Sequence, residues 1–113
     1  MSRAQAMSGS PGSVAPVPAT MRAGVYREQG LVRVEEVPVP EVGPGEVLIK
    51  VAACGICGTD IKKIFQRYVE PPQILGHELA GTVVRTGPGV SRFAPGDRVM
   101  SFHHIPCSGC FYC

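Results

Sequence analysis

Punctuation by glycine and proline limits this chain more than any other feature. Its 113 residues hold 14 Gly and 11 Pro, about twice the usual share for a globular protein. Many fall in turn clusters: Glu28-Gln29-Gly30, Gly43-Pro44-Gly45, Gly87-Pro88-Gly89 and Pro95-Gly96-Asp97. Each supplies a φ-locked or φ-permissive position that ends the preceding element. Long helices do not fit between such breaks, so short strands and turns are expected, and with them a mainly β domain.

The strand signals agree. Residues 21–26 and 31–39 flank the turn at 28–30 and predict a hairpin, with Pro38 and Pro40 confining the second strand to an edge. Residues 46–53 alternate, with Val47, Ile49, Val51 and Ala53 on one face. Residues 79–86 and 98–103 predict two more strands. One helix of about two to three turns is expected from Thr59 or Asp60, either a suitable N-cap. Its apolar stripe, Ile61, Ile64, Phe65 and Tyr68, predicts core packing opposite Lys62, Lys63 and Gln66.

With 44% hydrophobic and 18% charged residues, the chain allows one small domain with a sizeable core and no room for a second, nucleotide-binding domain. The net charge of +2, without a basic stripe or acidic tail, argues against nucleic acid and membrane surfaces as partners. Residues 1–20, rich in Ser, Pro, Ala and Gly with Arg3 as the one charge, read as a disordered tail preceding a domain at 21–113. That tail carries no signal-peptide core or membrane helix. Met7 and Met21 are alternative starts. The five cysteines are odd in number and lack the spacing of a secreted disulfide scaffold, which predicts metal binding in a reducing, cytoplasmic setting.

Chemistry is concentrated in three motifs. Cys57-Gly58-Thr59-Asp60 and Gly76-His77-Glu78 bring a thiol, an imidazole and a carboxylate, the ligand types that zinc accepts in an open catalytic site. A lone Cys and a lone His are nonetheless more often core residues than ligands. Cys107-x-x-Cys110-x-x-Cys113 has metal spacing, suited to three of the four thiolates of a closed structural zinc site or to the start of an iron-sulfur ligand run. Cys54, three residues before Cys57, reads as a buried thiol outside the ligand set, with a redox pair as the alternative. His103 and His104 read as surface or lobe-packing residues.

Together these motifs, with Ala80-Gly81 and Gly96-Asp97-Arg98-Val99, resemble the N-terminal catalytic domain of the zinc-containing medium-chain dehydrogenases, the group of alcohol, polyol and threonine dehydrogenases. The resemblance runs from residue 21 to 113 and implies an irregular GroES-like barrel, C-terminally incomplete here. It matches Cys57 and His77 to ligands of the catalytic zinc, and Glu78 to a position that either binds the metal or approaches it. Thr59 is matched to the hydroxyl that takes the proton of a zinc-bound alcohol, and Asp60 to a carboxylate that orients His77. Cys107, Cys110 and Cys113 are matched to the structural zinc. Ile61-Lys62-Lys63 departs from the pattern, since many relatives carry a relay histidine there. The full-length relative would exchange hydride between an alcohol or carbonyl and NAD or NADP, as a homo-oligomer. No Gly-x-Gly-x-x-Gly fingerprint is present to hold a nicotinamide, so an inactive fragment is expected. The competing reading is a non-catalytic GroES-like interaction module. A zinc-free quinone reductase relative fits poorly, because it predicts neither Cys57 nor the cysteine ladder.

Overall fold

The computed structural model describes residues 16–101, 103, 107 and 109–112. Within them the chain is mainly β with one short helix, ordered β1 (Thr20–Glu28), β2 (Leu31–Pro38), β3 (Val47–Gly55), α1 (Gly58–Gln66), β4 (Gln73–Ile74), β5 (Glu78–Thr86) and β6 (Arg98–Ser101). The strands form two three-stranded sheets, β2-β1-β4 and β3-β5-β6, with antiparallel pairing throughout. The expected tail lies outside the described residues up to position 15. Its last residue, Thr20, opens β1 and pairs with Pro38.

The first sheet grows from the expected hairpin. Its turn carries Gly30 at φ 78°, and β2 closes at Pro38, on the sheet edge where a residue without an N–H is tolerated. Across the pair, Arg27 Nε donates to Glu35 Oε1 at 2.8 Å. β1 supplies Ala23, Val25 and the fully buried Tyr26, the last two on opposite faces of the strand. In the second sheet the central strand β5 contributes the equally buried Val83. The Pro95-Gly96-Asp97 turn folds back onto that residue: Val83 N donates to Asp97 O, and Gly96 N to Val83 O, both at 2.8 Å.

Four expectations are corrected. The hydrophobic core is small: Ala23, Val25, Tyr26 and Val83 are the buried apolar residues among those described. The alternation in residues 46–53 does not produce a buried face, because β3 is an edge strand and bulges against β5 between Leu48 and Ile49 and between Val51 and Ala53. Each bulge interrupts the two-residue period. The helix starts earlier, with Cys57 as N-cap, so Thr59 and Asp60 lie in its first turn. Its apolar stripe is not core, since Ile61, Phe65 and Tyr68 are 47, 54 and 70% exposed and Asp60 is its buried residue. The short β4 carried no sequence signal. No helix among the described residues is long and apolar enough to cross a membrane.

Candidate metal centre

One end of the second sheet gathers the polar chemistry. β3 ends at Gly55, two residues before Cys57, and Gly55 pairs with Glu78, the first residue of β5. The chain between them forms α1 and returns through β4, which carries His77 to the same sheet end as Cys57. The 20-residue gap is therefore closed by topology. Donor atoms of Cys57, His77 and Glu78 all lie within 4.8 Å of one another.

Local sequence explains each placement. A Cβ on Gly55 would stand 2.6 Å from Glu78 Oε2, so glycine leaves the space that the carboxylate occupies. Asp60 is buried and reaches back to accept from Cys57 N at 3.0 Å, which satisfies an otherwise orphaned amide at the helix start. Its other oxygen faces His77 Nδ1 at 3.3 Å; the alignment falls short of a hydrogen bond, and both atoms are buried without another partner. On the opposite side of the ring, Nε2 lies 3.4 Å from Thr59 Oγ1. His77 thus lies between a carboxylate and a hydroxyl. With a proton on Nδ1, its Nε2 lone pair faces the cluster.

The electrostatics suit an electrophile. The Cys57 thiol is held below its usual value of 9.0, first by donation from the Thr59 hydroxyl and amide and then from His77, against desolvation and the Glu78 charge. His77 is raised above 6.5, chiefly by its bond to Cys57 and the nearby Asp60 charge, with desolvation and Lys63 opposing. Each group therefore favours the charged form of the other.

The donor set fits zinc. A tetrahedral ion with bonds of about 2.0 to 2.3 Å separates its ligand atoms by about 3.3 to 3.8 Å, so donors already within 4.8 Å of one another would draw together by at most about 1.5 Å. The other expected ligands lie apart: Cys107 and Cys110 are exposed in the C-terminal segment, and Cys113 is outside the described residues. Cys54 is exposed, not buried as expected, because its edge strand has no cover. It does not belong to the cluster.

His103, expected as a surface or lobe-packing residue, is exposed and lies outside the donor group. Its ring meets that of His77 edge-on, with centroids 5.9 Å apart and planes at 70°. It lines the same cleft of about 480 Å³ as His77, Glu78, Leu79, Met100 and Ser101. That approach to His77 follows from strand register, which a single sequence does not reveal.

Fold and cluster together define a GroES-like β domain of the medium-chain dehydrogenase class. The chain belongs to the alcohol dehydrogenase GroES-like domain family, whose model matches residues 43–113. It is 52% identical over 83 residues to an L-threonine 3-dehydrogenase of Pyrococcus abyssi, a match covering 69% of this chain and 24% of that protein. With a sorbitol dehydrogenase of Bacillus subtilis it shares 41% over 102 residues, 86% of this chain and 29% of the relative. Among solved structures, a cobalt- and zinc-bound thermostable alcohol dehydrogenase from Pyrobaculum aerophilum superposes with a TM-score of 0.77 at 36% identity, covering 83% of this chain and 30% of that one. The chain thus spans about a quarter of the length of the curated relatives it matches.

Proposed function

We propose that this chain is the N-terminal catalytic region of a cytoplasmic, zinc-dependent NAD(P) dehydrogenase acting on a small alcohol or polyol, or on the corresponding carbonyl. The observation that carries this reading is the convergence of Cys57, His77 and Glu78 within 4.8 Å. In it, Cys57 and His77 would hold the ion, with Glu78 as a candidate third ligand. A bound zinc supplies Lewis acidity, which makes an alcohol easier to deprotonate.

The remaining work belongs to the protein's own groups. Thr59 Oγ1, facing the cluster beside His77 Nε2, would accept a hydrogen bond from the alcohol and, as it takes that proton, release its own to solvent water. Asp60, with Oδ1 3.3 Å from Nδ1 of His77, would favour the proton on Nδ1 by its charge and so leave Nε2 free to bind the ion. Ile61-Lys62-Lys63, where many members of the family carry a histidine, leave the proton no imidazole to continue through on α1. Cys107, Cys110 and Cys113 hold a second, structural zinc with no part in the chemistry. The chain contains no dinucleotide fingerprint, so by itself it turns nothing over.

Native mass spectrometry with zinc tests the reading. Cys57→Ser and His77→Ala each remove one equivalent, and Cys110→Ser removes the other. Equal zinc content in wild type, Cys57→Ser and His77→Ala would sink the catalytic-site assignment.

A further inference from the structure

We propose that Cys54 is a positioning residue for the metal site, its sulfur seating the segment 76–78 so that His77 faces the cluster. The inference rests on the preceding assignment of a metal to Cys57, His77 and Glu78, and what carries it is the fit between the end of β3 and the two chain neighbours of His77. Cys54 pairs with Leu79 across the β3–β5 ladder, and Gly55 with Glu78. A Cβ built on Gly55 would stand 2.6 Å from Glu78 Oε2, and one built on Gly76 would stand 2.8 Å from Cys54 Sγ. Both distances are well inside ordinary packing contact. The two fits are reciprocal: glycine at 55 leaves room for the Glu78 carboxylate, and glycine at 76 leaves room for the Cys54 sulfur. Because successive residues of a strand point to opposite faces, β3 meets the residue before His77 from one face and the residue after it from the other.

Gly76 makes the sulfur contact matter. Its φ is 120°, a backbone state that glycine adopts freely and other residues rarely do, and that freedom falls directly before a ligand. The direction in which His77 leaves the chain therefore depends on what lies against Gly76. Among the described residues, Cys54 Sγ is the one atom within 4 Å of the place a Cβ would take, chain neighbours aside. Cys54 is exposed and outside the donor group, so neither core packing nor ligation gives the thiol its place. Its other contact is a weak bond, donated to Gly55 O at 3.6 Å. Thr59 and Asp60 flank the ring of His77 from α1, whereas Cys54 steadies the backbone from which that ring projects. A residue of this kind does not touch the ion. It narrows the range over which the imidazole moves and so lowers the ordering cost that metal binding meets.

The test uses the 113-residue chain with Cys107, Cys110 and Cys113 replaced by serine, titrated with cobalt(II), whose d–d bands report site geometry and whose sulfur-to-metal charge-transfer band counts thiolates. Cys54→Ala should weaken cobalt binding about tenfold, the lower end of the loss caused by removing a group that orients a ligand. It should also shift the d–d bands while the charge-transfer intensity stays that of one thiolate per ion. Cys54→Ser, which keeps a smaller atom in the same place, should recover part of the affinity. A second measurement needs no metal: in the metal-free Cys54→Ala chain, backbone ¹⁵N order parameters of Gly76 and His77 should fall while those of β1 hold. Unchanged cobalt affinity with unchanged order at Gly76 and His77 overturns the positioning role and leaves the metal assignment standing. Loss of charge-transfer intensity in Cys54→Ser would make the thiol a ligand and overturn it too. A parent chain that binds no cobalt sinks the metal assignment, and with it the role proposed for Cys54.

Discussion

A thiol at the first amide of a helix sits in a positive field that favours its thiolate, and Cys57 holds that position at the start of α1. The largest effect on it comes from Thr59, with His77 second. The stability consequences of the pair run in opposite directions with pH. Because the folded thiol titrates below 9.0, its contribution is present above that value and is lost as pH falls through the folded pKa. Because folded His77 titrates above 6.5, its contribution is complete below that value and is lost as pH rises through the folded pKa. In the metal-free chain, the rate of Cys57 alkylation by iodoacetamide, followed by peptide mass, should therefore rise with a midpoint below 9.0. Thr59→Val should move the midpoint up, and by more than His77→Ala does. A midpoint at or above 9.0 in the unmodified chain would contradict the arrangement.

At the scale of elements, the helix that presents Cys57 is held at its other end by the first hairpin. Gln29 Nε2 donates to Phe65 O at 2.7 Å and Gly30 N to Ile64 O at 2.9 Å, satisfying carbonyls of the last turn. Gly30 does so at φ 78° with the Phe65 ring 3.7 Å from where a Cβ would stand, so the contact is open but the backbone suits glycine. Gln29→Ala should cost about 1 kcal/mol, and Gly30→Ala about 1 to 2 kcal/mol through left-handed strain. Both should speed amide exchange in α1 while leaving β5 protected; unchanged exchange in α1 would show that the hairpin does not anchor the helix. The sequence made the hairpin visible, because its turn and flanking strands are local, and it made α1 visible through spacing. It could not show that Gln29 and Phe65 meet 36 residues apart. For the same reason the identity of Cys57, His77 and Glu78 was readable from their motifs, whereas the approach of His103 depends on a strand register that no local pattern encodes.

At the scale of the molecule, packing among the described residues is thin and the polar cluster is correspondingly consequential. Val34, Val51, Ile74 and Met100 are each at least half exposed, and four residues make up the described apolar core. Burying a side chain of that kind contributes about 1.5 to 3 kcal/mol, a modest return against the cost of ordering a hundred-residue backbone at about 1 to 2 kcal/mol per residue. A ligand bound by the folded state alone should then raise stability visibly. The Cys57, His77 and Glu78 donors come from separate elements and meet only when β3, α1 and β5 are in place, so the unfolded chain offers no equivalent site. At a free zinc concentration about 100 times the dissociation constant, folding should gain about 2.7 kcal/mol. For a domain of this size each kcal/mol moves the melting temperature by about 4 to 8 °C. Measured with Cys107, Cys110 and Cys113 replaced by serine to isolate the cluster, calorimetry should show an upward shift of about 10 to 20 °C with zinc, reversed by chelation and absent in Cys57→Ser. A melting temperature indifferent to zinc in that background would mean that the fold does not assemble the site as a metal centre, and the thin core would then have to account for stability without it.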